Sequence, residues 1–276
     1  MIAYKRKIIC YLTELTYMKH LHSKIRFPSP HPEVDLFLVT FYGDGLLMKG
    51  LLAEPKGDGQ YEGFLYLRGG IKNVGKVRPS RITQFASEGF IVFAPFYRGN
   101  QGGEGNEDFA GEDRGDAFAA FELVESHPRV KNVHVFGFSR GGVMALLTAI
   151  QFPQTASVVT WGGVSDMSLT YVERKDLRRM MKRVIGGTPA KFPDEYRSRT
   201  PIYELEKVTA PVLIIHGVKD QNVSIEHSYR LEKRLTELQK PYDSWYFKEY
   251  THYFPPAMNR KIVKDLSAWM KKQAQT

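Results

Sequence analysis

Gly137-Phe138-Ser139-Arg140-Gly141 sets one hydroxyl between two glycines in the spacing G-x-S-x-G. The residues before it, "NVHVF", are β-branched and aromatic, and those after it, "VMALL", form helix readily. A strand, a sharp turn and a helix are expected, with the serine on the turn. Such a turn is strained, and bulky side chains two residues before or after the serine would clash in it. It lifts the hydroxyl above the sheet and aims a helix N-terminus at it, so the N–H of Arg140 can donate to an oxyanion. The chemistry this suits is nucleophilic attack on an acyl carbonyl.

A serine nucleophile needs a base, and the base needs an orienting acid. In this layout they follow in the order serine, acid, histidine, on loops after later strands. "VLIIHGVKDQNV" puts Asp220 just past an apolar strand, 81 residues after the serine, and "WYFKEYTHYF" puts His252 past the next strand, 32 residues further on. Both fall at the carboxyl ends of strands, where open sheets collect their active sites. Asp166, after the preceding strand, is the competing acid. His134 lies within a strand, His216 precedes the acid and His227 lies in a helix, while His20, His22, His31 and His127 precede the serine. The second oxyanion donor is expected from the loop after "FLYL", as the N–H of Gly70 or of Ile71, with Gly69-Gly70 allowing close backbone approach.

These residues need a frame. "DLFLVTFY" and "LLMKGLLAEP" flank "GDG", a hairpin signal. Continuous apolar strands ("GFLYL", "FIVFAP", "NVHVFGF", "ASVVTW", "APVLIIHG", "YDSWYF") then alternate with helical stretches. That alternation implies an α/β protein with a mostly parallel central sheet and helices on both faces. Residues 167–207 interrupt it as a small basic, helical, lid-like insertion. Residues 1–33 read as a leader and Pro-rich linker ("FPSPHPE"), and 34–276 as the catalytic domain. Ile8, Leu12, Leu15 and Leu21 recur near helical spacing in the leader, which suits an amphipathic helix docked on the body, a segment in contact with an anionic membrane surface, or partial disorder.

The 276 residues are 42% hydrophobic and 25% charged, enough for one large core or at most two domains. The single cysteine, Cys10, excludes an internal disulfide and any cysteine-based metal cluster and fits a reducing compartment. No apolar run reaches the roughly 18 residues of a spanning helix. Lys5-Arg6-Lys7 before "IICYL" starts like a signal peptide, but the apolar stretch breaks at Thr13-Glu14 and no small-residue cleavage site follows. The expected location is cytoplasmic. The formal charge of +9 is confined to residues 1–30, net +5, and residues 167–207, net +4. Neither segment interleaves glycines and aromatics as nucleic-acid motifs do, so no nucleic-acid partner is expected. Arg98 and Arg140 sit on loops at the carboxyl edge of the sheet, and the insertion adds Arg174, Lys175, Arg178, Arg179, Lys182 and Arg183. A guanidinium beside a dry pocket clamps a carboxylate at two points, which would favour small substrates carrying negative charge.

From about residue 34 onward the chain resembles the α/β-hydrolase catalytic domain of the prolyl oligopeptidase family of serine peptidases. The stretches that carry the resemblance are "ASEGFIVFAPFYRGNQGGEG", "GFSRGG", "GVSDM", "EYRSRTPIYELEKVTAPVLIIHGVKDQNV" and "THYF", in order and suitably separated. The resemblance implies an α/β-hydrolase fold, with Ser139 as nucleophile, Asp220 as acid and His252 as base, and with Tyr97-Arg98-Gly99 shaping the pocket wall. The sequence departs from those peptidases in three ways. About 33 residues stand where they carry a β-propeller. Arg68-Gly69-Gly70-Ile71 replaces their His-Gly-Gly-Pro. Their oxyanion tyrosine has no clear counterpart after Gly70.

The expected enzyme is a serine hydrolase that cleaves ester or amide bonds of small substrates through an acyl-enzyme, with no metal or cofactor. The alternatives are a prolyl oligopeptidase-type peptidase acting on short peptides and a non-catalytic binding protein on the same fold. Replacing the hydroxyl tests the first assignment. Ser139→Ala is expected to abolish fluorophosphonate labelling and to lower kcat by on the order of 10⁴-fold or more. The circular dichroism spectrum and melting temperature should hold. Undiminished labelling of the variant would refute the assignment.

Overall fold

The computed structural model describes residues 18–274. Nine strands form one sheet in the order β1-β2-β3-β5-β4-β6-β7-β8-β9. They are β1 (Leu21–Phe27), β2 (Val34–Gly43), β3 (Leu46–Pro55), β4 (Tyr61–Leu67), β5 (Phe90–Pro95), β6 (Val130–Phe138), β7 (Ser157–Trp161), β8 (Val212–Gly217) and β9 (Tyr242–Phe247). The first three are antiparallel meanders, and β3 joins β5 antiparallel. From β5 to β9 every pairing is parallel.

Both faces of the parallel half are covered, so its strands read as unbroken apolar runs. In β4, Leu65 and Leu67 join one core while Phe64 and Tyr66 join the other; in β8, Val212 and Ile214 oppose Leu213 and Ile215 in the same way. The first core packs against α2 (Arg114–Glu125), α3 (Gly141–Gln151) and α7 (Glu226–Glu237), and the second against α1 (Pro79–Ser87) and α8 (Pro256–Gln273). Pro79 opens α1 where its missing N–H leaves no bond unmade. The "GDG" signal forms the β2–β3 hairpin, with Asp44 at φ +50 and Gly45 at φ +76.

The chain runs from β4 to β5 on one side of β4, and β6 returns on its other side. This reversal opens a crevice at the carboxyl ends of β4 and β6, where open α/β sheets bind their ligands. Leu67 pairs with Gly137, so the loop after β4 and the turn carrying Ser139 leave the sheet side by side.

One expectation needs correction. Residues 1–17 of the expected leader, whether helix, membrane-contacting segment or partial disorder, lie outside the described residues, but within the same 1–33 stretch Leu21–Phe27 is an edge strand paired with β2 and belongs to the sheet. Its polarity runs against the usual pattern: Lys24 is buried and Ile25 is 60% exposed. Lys24 faces inward because its ammonium meets Glu54 Oε1 at 2.7 Å and lies over the Phe37 ring. The 167–207 insertion is helical, as expected, with α4 (Met167–Glu173), α5 (Arg178–Ile185) and α6 (Pro193–Ser198). Met167, Met181, Ile185, Tyr196 and Leu205 are buried in the first core, which fixes the segment as part of the wall.

The buried pair on β1 and β3 makes stability depend on acid. Burial works to raise the Glu54 pKa, but the His127 hydrogen bond and the Lys24 ammonium outweigh it and hold the carboxyl down at about 2. A carboxylate depressed in the fold contributes stability that is complete above its unfolded pKa and is lost as pH falls through the folded one. Glu54→Gln is expected to cost about 3–5 kcal/mol near neutrality, because it removes the carboxylate that neutralises a buried ammonium. Urea midpoints at about pH 5 and about pH 3 should show the gap between wild type and variant narrowing in acid. A gap of constant width would show that the pair does not titrate with folding.

Candidate active site

Ser139 stands at the end of β6 with φ +57, the left-handed region that a β-carbon disfavours by roughly 1–2 kcal/mol. Its surroundings hold it there. Its N–H donates to Trp161 O at 3.1 Å, and its carbonyl accepts the N–H groups of Gly142 and Val164, each at 2.9 Å. The flanking glycines are required by contact. A β-carbon on Gly137 would strike the Gly141 carbonyl, and one on Gly141 would strike the Leu67 carbonyl of the neighbouring strand. Strand, turn and helix can close to this distance only without side chains.

Asp220 follows β8 and His252 follows β9, as expected from the sequence. His252 Nδ1 lies 2.7 Å from Asp220 Oδ2, and both side chains are buried. The other carboxylate oxygen, Oδ1, accepts the N–H groups of Asn222 at 2.8 Å and Val223 at 3.0 Å. Burial works to raise the Asp220 pKa, but hydrogen bonds from His216 and His252 and from the Val223 N–H hold it well below the usual carboxylate range. The acid is therefore ionised wherever the histidine needs it. With Nδ1 engaged, Nε2 is the ring atom left to exchange protons. The imidazole packs 4.7 Å from the Phe138 ring, next to Ser139 in the chain. Gly162, at φ +51, brings the backbone after β7 against this pair: a β-carbon there would lie 3.2 Å from both Asp220 Oδ2 and His252 Nδ1.

Asp166 has other partners. Its Oδ1 caps α4 by accepting the N–H groups of Ser168 and Leu169, and its Oδ2 takes Arg230 Nη1 at 2.9 Å. His134 is buried on Ser157 Oγ at 2.8 Å, and His216 on Ser228 Oγ at 2.6 Å.

The loop after β4 reaches the nucleophile. A β-carbon on Gly69 would lie 2.6 Å from Ser139 Cβ, and Gly70 takes φ +68. The loop that carries Gly70 and Ile71 thus lies against the turn that carries Ser139 and Arg140.

The cationic pocket expected from Arg98 and Arg140 is not there. Arg98 gives its Nε to Asp116 at 2.8 Å and its Nη2 to Asp44 at 2.7 Å. Arg140 is only 2% exposed and binds Glu107 at 2.8 Å and Asp113 at 3.1 Å. Both guanidinium groups are neutralised by the chain's own carboxylates, since a buried cation without a partner costs far more than a paired one. Tyr97, expected on the pocket wall, is wholly buried at φ +64 beneath the guanidinium groups of Arg68 and Arg140. In the insertion, Arg174 binds Asp176 and Asn222 O, and Arg178 binds the carbonyls of Tyr171 and Val172. Lys175, Arg179, Lys182 and Arg183 point to solvent. Nothing in the sequence singles out Glu107, because an acid in a Gly-rich loop carries no mark of burial.

Residues 76–276 match the prolyl oligopeptidase family. The uncharacterized peptidase YtmA of Bacillus subtilis is 66% identical over 251 residues, which is 90% of this chain and 98% of that protein. The chain belongs to the prolyl oligopeptidase family. Membership makes it a serine hydrolase. The fold is shared with the acylaminoacyl peptidase of Pyrococcus horikoshii, at TM-score 0.74 and 20% identity over 92% of this chain. The chain spans 42% of that peptidase's length. It is also shared with acetyl xylan esterase 1 of a Thermoanaerobacterium species, at TM-score 0.69 and 16% identity, covering 94% of this chain and 92% of the esterase. The same fold thus occurs in a peptidase and in an esterase. Among the described residues, no helix is long and apolar enough to cross a membrane.

The two acids after neighbouring strands separate cleanly. Asp220→Asn is expected to lower kcat by about 10⁴-fold, because the imidazole loses its orienting charge. Asp166→Asn should leave kcat near wild type and cost at most about 1 kcal/mol of stability, because asparagine still caps α4 and only the charge facing Arg230 is lost. Steady-state rates and melting curves of the two variants check this, and the reverse order of damage would move the acid to the earlier strand.

Proposed function

We propose that the protein hydrolyses ester or amide bonds of small substrates with a Ser139-His252-Asp220 triad. The observation that carries this reading is the 2.7 Å contact from His252 Nδ1 to Asp220, made by an imidazole packed beside the strained turn of Ser139. His252 Nε2 takes the hydroxyl proton as Ser139 Oγ bonds to the acyl carbon. The carbonyl electron pair moves to oxygen, which accepts hydrogen bonds from the N–H of Arg140 and from that of Gly70 or Ile71. The pair returns as the bond to the alcohol or amine breaks, and His252 delivers its proton to that leaving group. Water, deprotonated by the same nitrogen, then releases the acid and restores Ser139. The buried Asp220 carboxylate holds the ring's orientation and stabilises its cation throughout.

The peptidase reading has its own support in the Bacillus relative, which is described as a peptidase. On that reading short peptides would occupy the same site. A cytoplasmic location rests on the lone cysteine, Cys10, which forms no internal disulfide.

A panel of p-nitrophenyl esters and aminoacyl-p-nitroanilides decides between them. An esterase is expected to turn over acetyl or butyryl esters with kcat/KM at least about 100-fold above any anilide, whereas a peptidase would close or reverse that ratio. Failure to react with either series or with a fluorophosphonate would reject hydrolysis in favour of a binding role. The fully internal pairing of Arg98 and Arg140 removes the basis for a salt-resistant preference for anionic substrates.

A further inference from the structure

Arg140 carries one oxyanion N–H and the Arg68–Lys72 loop carries the other, and the pairing of β4 with β6 ends at Leu67 and Gly137, short of both. One buried carboxylate joins them. Glu107 Oε1 accepts Arg140 Nη2 at 2.8 Å and Arg68 Nη2 at 2.7 Å, and its Oε2 accepts the Lys72 N–H at 2.6 Å. The Glu107 side chain has no solvent exposure. Arg68 extends the link through Nη1 to Gly69 O at 3.0 Å and Val74 O at 3.2 Å, and it is anchored by Nη2 to Phe96 O at 3.0 Å. Each guanidinium lies over the Tyr97 ring, at 5.1 Å for Arg68 and 4.9 Å for Arg140.

We infer that Glu107 is the positioning residue of the oxyanion hole, setting the distance between the Arg140 N–H and the N–H groups of Gly70 and Ile71. This rests on the triad reading above. Two guanidinium groups packed on one ring repel each other, and the carboxylate shared between them turns that repulsion into a fixed spacing. The Lys72 N–H ties the far end of the loop to the same carboxylate. Neutralising Glu107 leaves Asp113 as the one carboxylate on Arg140 and leaves Arg68 with backbone acceptors alone. The loop bearing Gly69-Gly70 is then free to draw back from Ser139. The donors are needed when charge develops on the substrate oxygen, so the loss falls on the transition state rather than on substrate binding.

The test compares Glu107→Gln, Arg68→Lys and Glu54→Gln with wild type, using p-nitrophenyl acetate turnover and the rate of fluorophosphonate labelling. Glu54→Gln removes an equally buried, ion-paired carboxylate that lies far along the sheet on β3. Arg68→Lys keeps the charge but cannot serve Glu107 and three carbonyls with one ammonium. It is the second readout should Glu107→Gln fold poorly. Both loop variants are expected to lower kcat about 100-fold with KM within about threefold of wild type, and to slow phosphonylation in step. Glu54→Gln should keep kcat despite its lower melting temperature. Wild-type kcat in Glu107→Gln, or a rise in KM alone, would overturn the inference while inactive Ser139→Ala upholds the triad. An equal fall of kcat in Glu54→Gln would overturn it too, by showing that general destabilisation is responsible. Full turnover by Ser139→Ala would overturn both readings.

Discussion

Ser139 can point its hydroxyl out of the sheet only because three backbones close on it without side chains in between. Gly137 and Gly141 let β6 turn into α3 against the Leu67 carbonyl, and Gly69 lets the loop after β4 touch Ser139 Cβ. A left-handed serine costs roughly 1–2 kcal/mol, which a tripeptide would not tolerate but a buried turn can. The compensation is collective, coming from the Trp161, Gly142 and Val164 hydrogen bonds and from the apolar packing of β4, β6 and β7 on both faces. The reversal of strand order at β4 decides that this crowding occurs at a crevice and not beneath a helix.

The same crowding explains where the charges went. Close approach of backbones leaves little room for water, so cations near the turn must find partners inside the protein. Arg140 turns inward to Glu107 and Asp113, and Arg98 to Asp116 and Asp44. Burial pushes the Asp113 carboxyl up to about 7 although Arg140 pulls the other way. Charge is used here to fix distance, and substrate recognition falls to other groups.

What was legible in the sequence follows from which interactions are local. The G-x-S-x-G turn, the hairpin at Asp44-Gly45 and the Pro79 start of α1 each obey rules confined to a few residues. Asp220 and His252 were readable because a parallel sheet delivers the ends of successive strands to one edge, so order along the chain becomes nearness in space. The pairing of Arg98 with Asp44 spans 54 residues, and that of Arg68 with Glu107 spans 39. No periodicity or motif marks such partners. Lys24 shows the failure most plainly: on β1 the buried position is a lysine and the exposed one an isoleucine, so hydrophobic patterning favoured a helix where an ion pair built a strand.

A hydrolase of this design has to reconcile two opposed demands at one turn. Its oxyanion donors must be left without protein acceptors, because a donor already satisfied has nothing to give a transition state. Unsatisfied N–H groups, in turn, do not hold their own backbone in place. The solution visible here moves the restraint onto neighbouring groups. Arg140 is fixed by its side chain, and Gly70 and Ile71 are flanked by the Arg68 contact to Gly69 O and the Glu107 contact to Lys72 N–H on either side of them. Separating what binds from what positions lets the hole stay rigid and empty together. On this inference the residue types at Arg68 and Glu107 matter to the chemistry although neither touches the substrate.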